Sequence, residues 1–219
     1  MSSFGCDAIL FDLDGVLVDS TVAVERAWRV WADKHGLDEE RFLEIAHGRR
    51  TAETIRLVAP DLDADSEARD LERIEAGDLE GVLEVEGAHA LLSSLPRDCW
   101  TVVTSGTRLL ATRRMEHFGL PLPERFISAD DVTNGKPHPK AYLKGAEILG
   151  VSPETRVVVE DAPSGVKSAK SAGMRVLAVA TTYHEDDLSE ADEVAPSLAG
   201  IRAVSTPQAR TRLEVRAAG

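Results

Sequence analysis

The chain has 219 residues, 43% hydrophobic and 29% charged, enough to bury a sizeable core without metal or disulfide staples. A formal net charge of −13 argues against nucleic acid or an anionic membrane as partner, yet leaves room for a small phosphorylated metabolite held by locally placed cations. Cys6 and Cys99 form neither a disulfide framework nor a zinc motif and read as buried thiols; no stretch reads as a signal peptide or a bilayer span, so a cytoplasmic location is expected.

Ala8-Ile9-Leu10-Phe11 is a short apolar run that predicts a strand buried on both faces, and it stops abruptly at Asp12-Leu13-Asp14-Gly15. Val24, Ala27, Trp28, Trp31 and His35 recur near the helical period, which predicts a helix over Thr21–His35 with Gly36 as its stop. Glu39–Ala46, Thr51–Val58 and Ala64–Glu75 also read as helical, with no strand among them. Four helices without a sheet partner imply a small helical unit inserted over residues 16–86.

Alternation then begins. Gly87–Leu95 reads as a helix, Trp100–Thr104 as a strand, Arg108–Phe118 as a helix and Arg125–Ser128 as a short strand. Pro139–Leu149 reads as a helix, Arg156–Val159 as a strand, Pro163–Ala172 as a helix and Met174–Val179 as a strand. A short last strand starts at Glu193-Val194, and the tail after Thr206 reads as a frayed helix or as disordered. The expected fold class is α/β, a mostly parallel sheet with helices on both faces, built from residues 1–15 and 87–219.

Open parallel sheets bind ligands beyond the carboxyl ends of their strands, and four groups of reactive residues fall there. Asp12 and Asp14 place two carboxylates at one strand end. One can attack phosphorus, and the other can protonate a leaving oxygen and then deprotonate water. Gly15 lets the chain turn away. The bland reading is an acidic turn with a helix cap. Thr104-Ser105-Gly106 supplies hydroxyls and backbone N–H groups that suit an anion, although Ser and Thr are also the usual helix caps. Lys136 stands in a loop stiffened by Pro137 and Pro139 and would offset charge on Asp12 and on a phosphoryl group. Glu160-Asp161 sets two acids side by side after Val157-Val158-Val159, where a hard cation such as Mg²⁺ would relieve their repulsion. Nucleophile, acid/base, anion donors and metal ligands together are what phosphoryl transfer needs.

The ordered set Asp-Leu-Asp-Gly, Thr-Ser-Gly, Gly-Lys-Pro and Glu-Asp-Ala-Pro resembles the haloacid dehalogenase-like superfamily over nearly the whole chain. The resemblance implies Asp12 as nucleophile and Asp14 as general acid/base, with the Asp14 backbone carbonyl also on magnesium. It implies Ser105 or Thr104 holding phosphoryl oxygens, Lys136 as the motif lysine and Asp161 as a metal ligand. Glu160 would assist at the metal or pair with Lys136. The helical insertion is similar to the small cap of the beta-phosphoglucomutase-like branch. Asp12–Ser20, His47–Thr51, Val132–Pro139 and Val159–Gly165 resemble sugar- and polyol-phosphate phosphatases related to 2-deoxyglucose-6-phosphatase and glycerol-1(3)-phosphatase. That likeness implies that His47, Gly48 and Arg50 face the leaving group and select it, Arg49 less so. A monomer is the default expected of a capped enzyme of this size.

A phosphomutase of the same fold would use the same aspartates, but it carries a lysine where this chain has His47, which favours hydrolysis. A non-catalytic binding protein is the other alternative, and all four motifs being intact speaks against it. Trp28 and Trp31 read as helix core, His117 and His138 as structural, and Asp19 as a cap of the first helix or a border of the site. Tyr183 and His184 could edge the pocket.

Overall fold

The computed structural model describes residues 2–38, 49–150, 152–206 and 209–215, of which 2–4, 153, 205–206 and 209–215 are described as backbone alone. In chain order the strands and α-helices are β1 (Ser2–Cys6), β2 (Ala8–Phe11), β3 (Val18–Asp19), α1 (Thr21–His35), α2 (Thr51–Val58), α3 (Ala64–Gly77), β4 (Leu83–Glu84), α4 (Ala88–Ser94) and β5 (Trp100–Val102). They continue with α5 (Arg108–His117), α6 (Lys140–Ile148), β6 (Arg156–Glu160), α7 (Pro163–Ser171), β7 (Arg175–Val179), β8 (Glu193–Ala195), β9 (Ile201–Thr206) and β10 (Ala209–Val215).

Every residue of β2 is buried, because β2 is the inner strand of a parallel sheet ordered β5-β2-β6-β7-β8. Chain order reverses at β2, with β5 on one side and β6 on the other. Successive side chains in a strand point to opposite faces. Ile9, Phe11, Val157 and Val159 accordingly pack with residues of α4 and α5, including Leu91, Leu92, Ala111 and Met115. Leu10, Val158, Val176 and Ala178 pack on the other face with Ala141 and Tyr142 of α6 and Val166 and Ala169 of α7. Burying each such large apolar side chain contributes roughly 1.5–3 kcal/mol against exposure. The register is what builds the site. Phe11 pairs with both Val102 and Val159, so the residues that follow these three emerge side by side.

Helices α1, α2 and α3 have a core of their own, including Trp28, Trp31, Ile55, Ala68 and Leu71. The two tryptophans meet edge to face with ring centroids 5.4 Å apart, and Trp31 Nε1 donates to Glu67 Oε2. Gly36 ends α1 in the left-handed conformation, as expected. Asp19 accepts from the Thr21 N–H and so caps the chain just before α1. The helix expected over Glu39–Ala46, with the site residues His47 and Gly48, lies outside the described residues.

Strands β3 and β4 flank the helical segment and pair antiparallel where it leaves and rejoins the sheet. Three expectations are corrected. Arg125–Ser128 makes a single bridge, Val103 with Ile127, instead of a strand. Its extension is blocked because Thr101 Oγ1 donates to the Arg125 carbonyl and Ser128 starts a 3₁₀ turn. Residues 193–195 are a strand but not the last one. The tail forms β10, which lies between β1 and β9 in a separate antiparallel sheet. Its Arg, Ala and Glu content suggests a helix, yet Thr211, Leu213 and Val215 alternate with Arg210, Arg212 and Glu214, the period of a strand.

Candidate active site

Asp12 is the first residue past the end of β2, and its N–H donates to the Val159 carbonyl of the neighbouring strand. That bond fixes its side chain beside Glu160, the last residue of β6, and Asp161, which follows it. Carboxylate oxygens of Asp12, Glu160 and Asp161, all buried, lie within 4.8 Å of one another. Lys136 enters the same space with 1% of its side chain exposed. Its Nζ is 2.9 Å from Asp12 Oδ1 and 2.7 Å from Glu160 Oε1.

The three acids are not equivalent. Glu160 Oε1 accepts from Lys136 and from the Tyr142 hydroxyl, and Oε2 accepts from the N–H groups of Asp161 and Ala162. Glu160 is therefore occupied as the anchor of Lys136. Asp161 Oδ1 is buried and has no hydrogen-bond partner. An orphaned carboxylate oxygen in the interior is costly unless a cation takes it. Two glycines make room for these acids. A Cβ at Gly15, where φ is +80°, would overlap Asp161 Oδ2, and one at Gly165 would overlap Glu160 Oε1.

Electrostatics agree with this geometry. Burial raises the Asp12 pKa from 3.8 to about 7; Lys136 opposes the rise, and Glu160 and Asp14 add to it. Burial, Glu160 and Asp12 hold the Asp161 carboxyl well above its ordinary value. Burial opposes the Lys136 ammonium, but Asp12 and Glu160 outweigh it and raise its pKa. Three acids against one ammonium leave the cluster short of positive charge. The oxygen-only donor set fits Mg²⁺, with Asp12 and Asp161 as the residues whose oxygens would hold it.

Asp14 stands apart on the wall of the cleft, its side chain 31% exposed. Ser20 Oγ and Arg114 Nη1 both donate to its Oδ1, at 2.9 and 2.6 Å. Thr104, Ser105 and Gly106 follow β5 and line the cleft with Asp12 and Asp14. The Gly106 N–H donates to Thr104 Oγ1.

Arg50, expected to contact substrate, is placed elsewhere. It donates to the carbonyls of Thr133 and Ala129, while its neighbour Glu53 accepts from the Gly135 N–H. Arg50 thus fastens the start of α2 to the loop that carries Lys136. Its sequence neighbour Arg49 lines the cleft instead, with Trp28, Glu75 and Arg114. His117, His138, Tyr183 and His184 do not line this cleft.

Glu75 and Arg114 escaped the sequence reading. Their Oε2 and Nη2 atoms are 2.7 Å apart, and both side chains are almost fully buried. Burial raises the Glu75 pKa from 4.5 to about 7, with Arg114 opposing and Glu72 and Asp14 adding to the rise. The available signal was position: Arg114 shares a helix face with Leu110, Ala111 and Met115, and Glu75 shares one with Ala68 and Leu71.

The model of the haloacid dehalogenase-like hydrolase family matches residues 9–179. Hexitol phosphatase A of Escherichia coli (strain K12) is 46% identical over 207 residues, covering 92% of this chain and 96% of the relative. Glycerol-1-phosphate phosphohydrolase 2 of Saccharomyces cerevisiae (strain ATCC 204508 / S288c) is 40% identical over 200 residues, covering 86% of this chain and 80% of the relative. A crystal structure of beta-phosphoglucomutase from Clostridium difficile shares the fold at 24% identity, with TM-score 0.77, covering 89% of this chain and 92% of that one. With strand ends, acids and lysine arranged as described, and with this match along the sequence, the chain belongs to the haloacid dehalogenase-like hydrolase family.

Proposed function

We propose that this chain hydrolyses phosphate monoesters of small sugars and polyols through a phosphorylated Asp12. The observation that carries the reading is the convergence of Asp161 and Lys136 on Asp12, which lines a cleft together with Asp14. The phosphatase relatives supply the substrate class. The segment over residues 16–86 acts as a cap that covers the cleft, and Arg49, Trp28 and Glu75 are among its contributions to the substrate's surroundings.

Bound between Asp12 and Asp161, Mg²⁺ would offset the charge of the phosphoryl oxygens and of the acids themselves. The Asp12 carboxylate attacks phosphorus, with the Lys136 ammonium holding it in place and balancing its charge. Ser105 and Thr104 orient the phosphoryl group from the end of β5. Asp14 gives a proton to the departing alcohol and then takes one from the water that cleaves the aspartyl phosphate. The cytoplasmic setting and the monomeric state belong to the same proposal and rest on the sequence alone; no described helix is long and apolar enough to cross a membrane.

The test is phosphate release with Mg²⁺ from a panel of hexitol, hexose and glycerol phosphates. Asp12→Asn should lower turnover by at least about 10⁴-fold, as loss of a nucleophile does, while the melting temperature stays near the wild-type value. Comparable turnover by Asp12→Asn would end the covalent scheme. Glucose 6-phosphate formed from beta-glucose 1-phosphate without free phosphate would make the protein a mutase.

A further inference from the structure

Helix α5 turns Leu110, Ala111 and Met115 inward, and Arg114 lies on the same face, so its guanidinium enters the interior with 2% of the side chain exposed. A buried guanidinium is costly unless acids pair with it. Here Nη1 donates to Asp14 Oδ1 at 2.6 Å and Nη2 to Glu75 Oε2 at 2.7 Å, while the buried Nε has no hydrogen-bond partner. The two acids come from different parts of the fold. Asp14 sits in the turn after β2, and Glu75 in α3 of the helical segment. Ser20 Oγ donates to the same Asp14 oxygen, so both described hydrogen bonds to this carboxyl fall on Oδ1. An oxygen that accepts from two donors, one of them cationic, is the poorer base of the pair. Neither described bond falls on Oδ2.

We infer that Arg114 is a positioning residue, one that fixes the Asp14 carboxyl by Oδ1 so that Oδ2 exchanges the proton, and that Glu75 holds Arg114 in that pose. The inference rests on the reading of Asp14 as acid/base. In the first half-reaction the Asp12–phosphorus bond forms as the bond from phosphorus to the alcohol oxygen breaks, and the proton on Oδ2 passes to that oxygen. In the second half-reaction water's oxygen bonds to phosphorus, the Asp12–phosphorus bond breaks, and one water proton returns to Oδ2. Atoms balance, and Asp14 ends as it began. Because Glu75 lies on α3, the acid is aligned only while the helical segment is docked.

Two esters, compared by the rate of alcohol release in the first turnover, read this out in the Mg²⁺-loaded enzyme. Glycerol 1-phosphate has a leaving group that must be protonated, whereas 4-nitrophenyl phosphate has one that leaves without a proton. Arg114→Gln should lower kcat on glycerol 1-phosphate by about 10²-fold, the scale of general-acid catalysis. On 4-nitrophenyl phosphate it should give a burst of nitrophenolate matching the enzyme concentration, followed by slow turnover, because the water step still needs the base. Arg114→Lys keeps the cation without the fork and should restore stability but not the ratio between the two esters. Glu75→Gln preserves shape, guards against misfolding of the Arg114 variants, and should shift the ratio in the same direction by about 10-fold. Equal losses on both esters without a burst, or wild-type ratios in Arg114→Gln and Glu75→Gln, would overturn the inference. Asp14→Asn separates this from the underlying reading: if it too leaves the ratio unchanged, the acid/base assignment itself has failed.

Discussion

The Lys136 ammonium lies between Asp12 Oδ1 and Glu160 Oε1, 2.9 and 2.7 Å from them, inside the protein. Glu160 is held at its other oxygen by two backbone N–H groups, so Lys136 is moored on one side and directed at the proposed nucleophile on the other. Lys136→Met would strand two buried carboxylates. Breaking such a pair costs about 3–5 kcal/mol, which thermal melting of the metal-free protein would register as a lower midpoint. Turnover should fall by about 10²–10³-fold, the cost of losing one electrostatic donor. An unchanged midpoint would mean that Lys136 does not neutralise the acids.

Metal-free stability should fall as pH rises from about 4 to about 7. Asp12 titrates near 7 in the fold and 3.8 ordinarily, and Glu75 near 7 against 4.5. A carboxyl with a raised pKa binds its proton more tightly when folded, so its stabilising effect is complete below the ordinary value and lost as pH passes the raised one. Asp161 and Glu72 are shifted the same way. The Lys136 shift acts only at strongly alkaline pH and leaves this window unaffected. Added Mg²⁺ should therefore raise the melting temperature more at pH 8 than at pH 5. A Mg²⁺ effect that is the same at both would show that the cation does not compete with protons for these acids.

Gly15→Ala should weaken Mg²⁺ activation by about 10–100-fold, the range seen when the surroundings of a metal ligand are disturbed. The cause is direct, since a methyl group at that position, with φ at +80°, occupies the place of Asp161 Oδ2. Gly119→Ala is the control. Its φ is also positive, but nothing lies within 4 Å of the added carbon, so it should cost about 1 kcal/mol of stability and leave the Mg²⁺ dependence intact. A magnesium titration of activity on both variants decides the matter.

Arg50 and Arg49 should behave differently although they are adjacent. Arg50→Ala removes two hydrogen bonds to the loop before Lys136 and should lower kcat/KM about equally for every ester tested, by roughly 10-fold per 1.4 kcal/mol lost. Arg49→Ala, at the cleft wall, should reorder the preference among hexitol, hexose and glycerol phosphates. A reordered preference in Arg50→Ala would return that residue to the substrate.

The strand-end acids were legible because each follows an apolar run. Asp12 comes after Ala8–Phe11 and Glu160-Asp161 after Val157–Val159, and parallel register makes neighbours of whatever follows such runs. Lys136 was legible through its prolines. What sequence could not show was which partner each charge would choose. Arg49 and Arg50 look alike as letters, and only the docking of α2 on the 129–135 loop separates them. Arg114 and Glu75 were passed over because charged residues on long helices are usually solvated, and only packing shows that both face inward. The tail was misread because its composition favours a helix while its alternation, and two partner strands, make it β10.

The antiparallel pairing of Val18–Asp19 with Leu83–Glu84 gives the helical segment a doubled stem instead of two separate tethers. The segment's entry and exit are thus held together by the pairing of four residues. Ser20 sits immediately past that stem and grips Asp14. The hinge of the segment and the carboxyl on the cleft wall are therefore joined by a single hydroxyl.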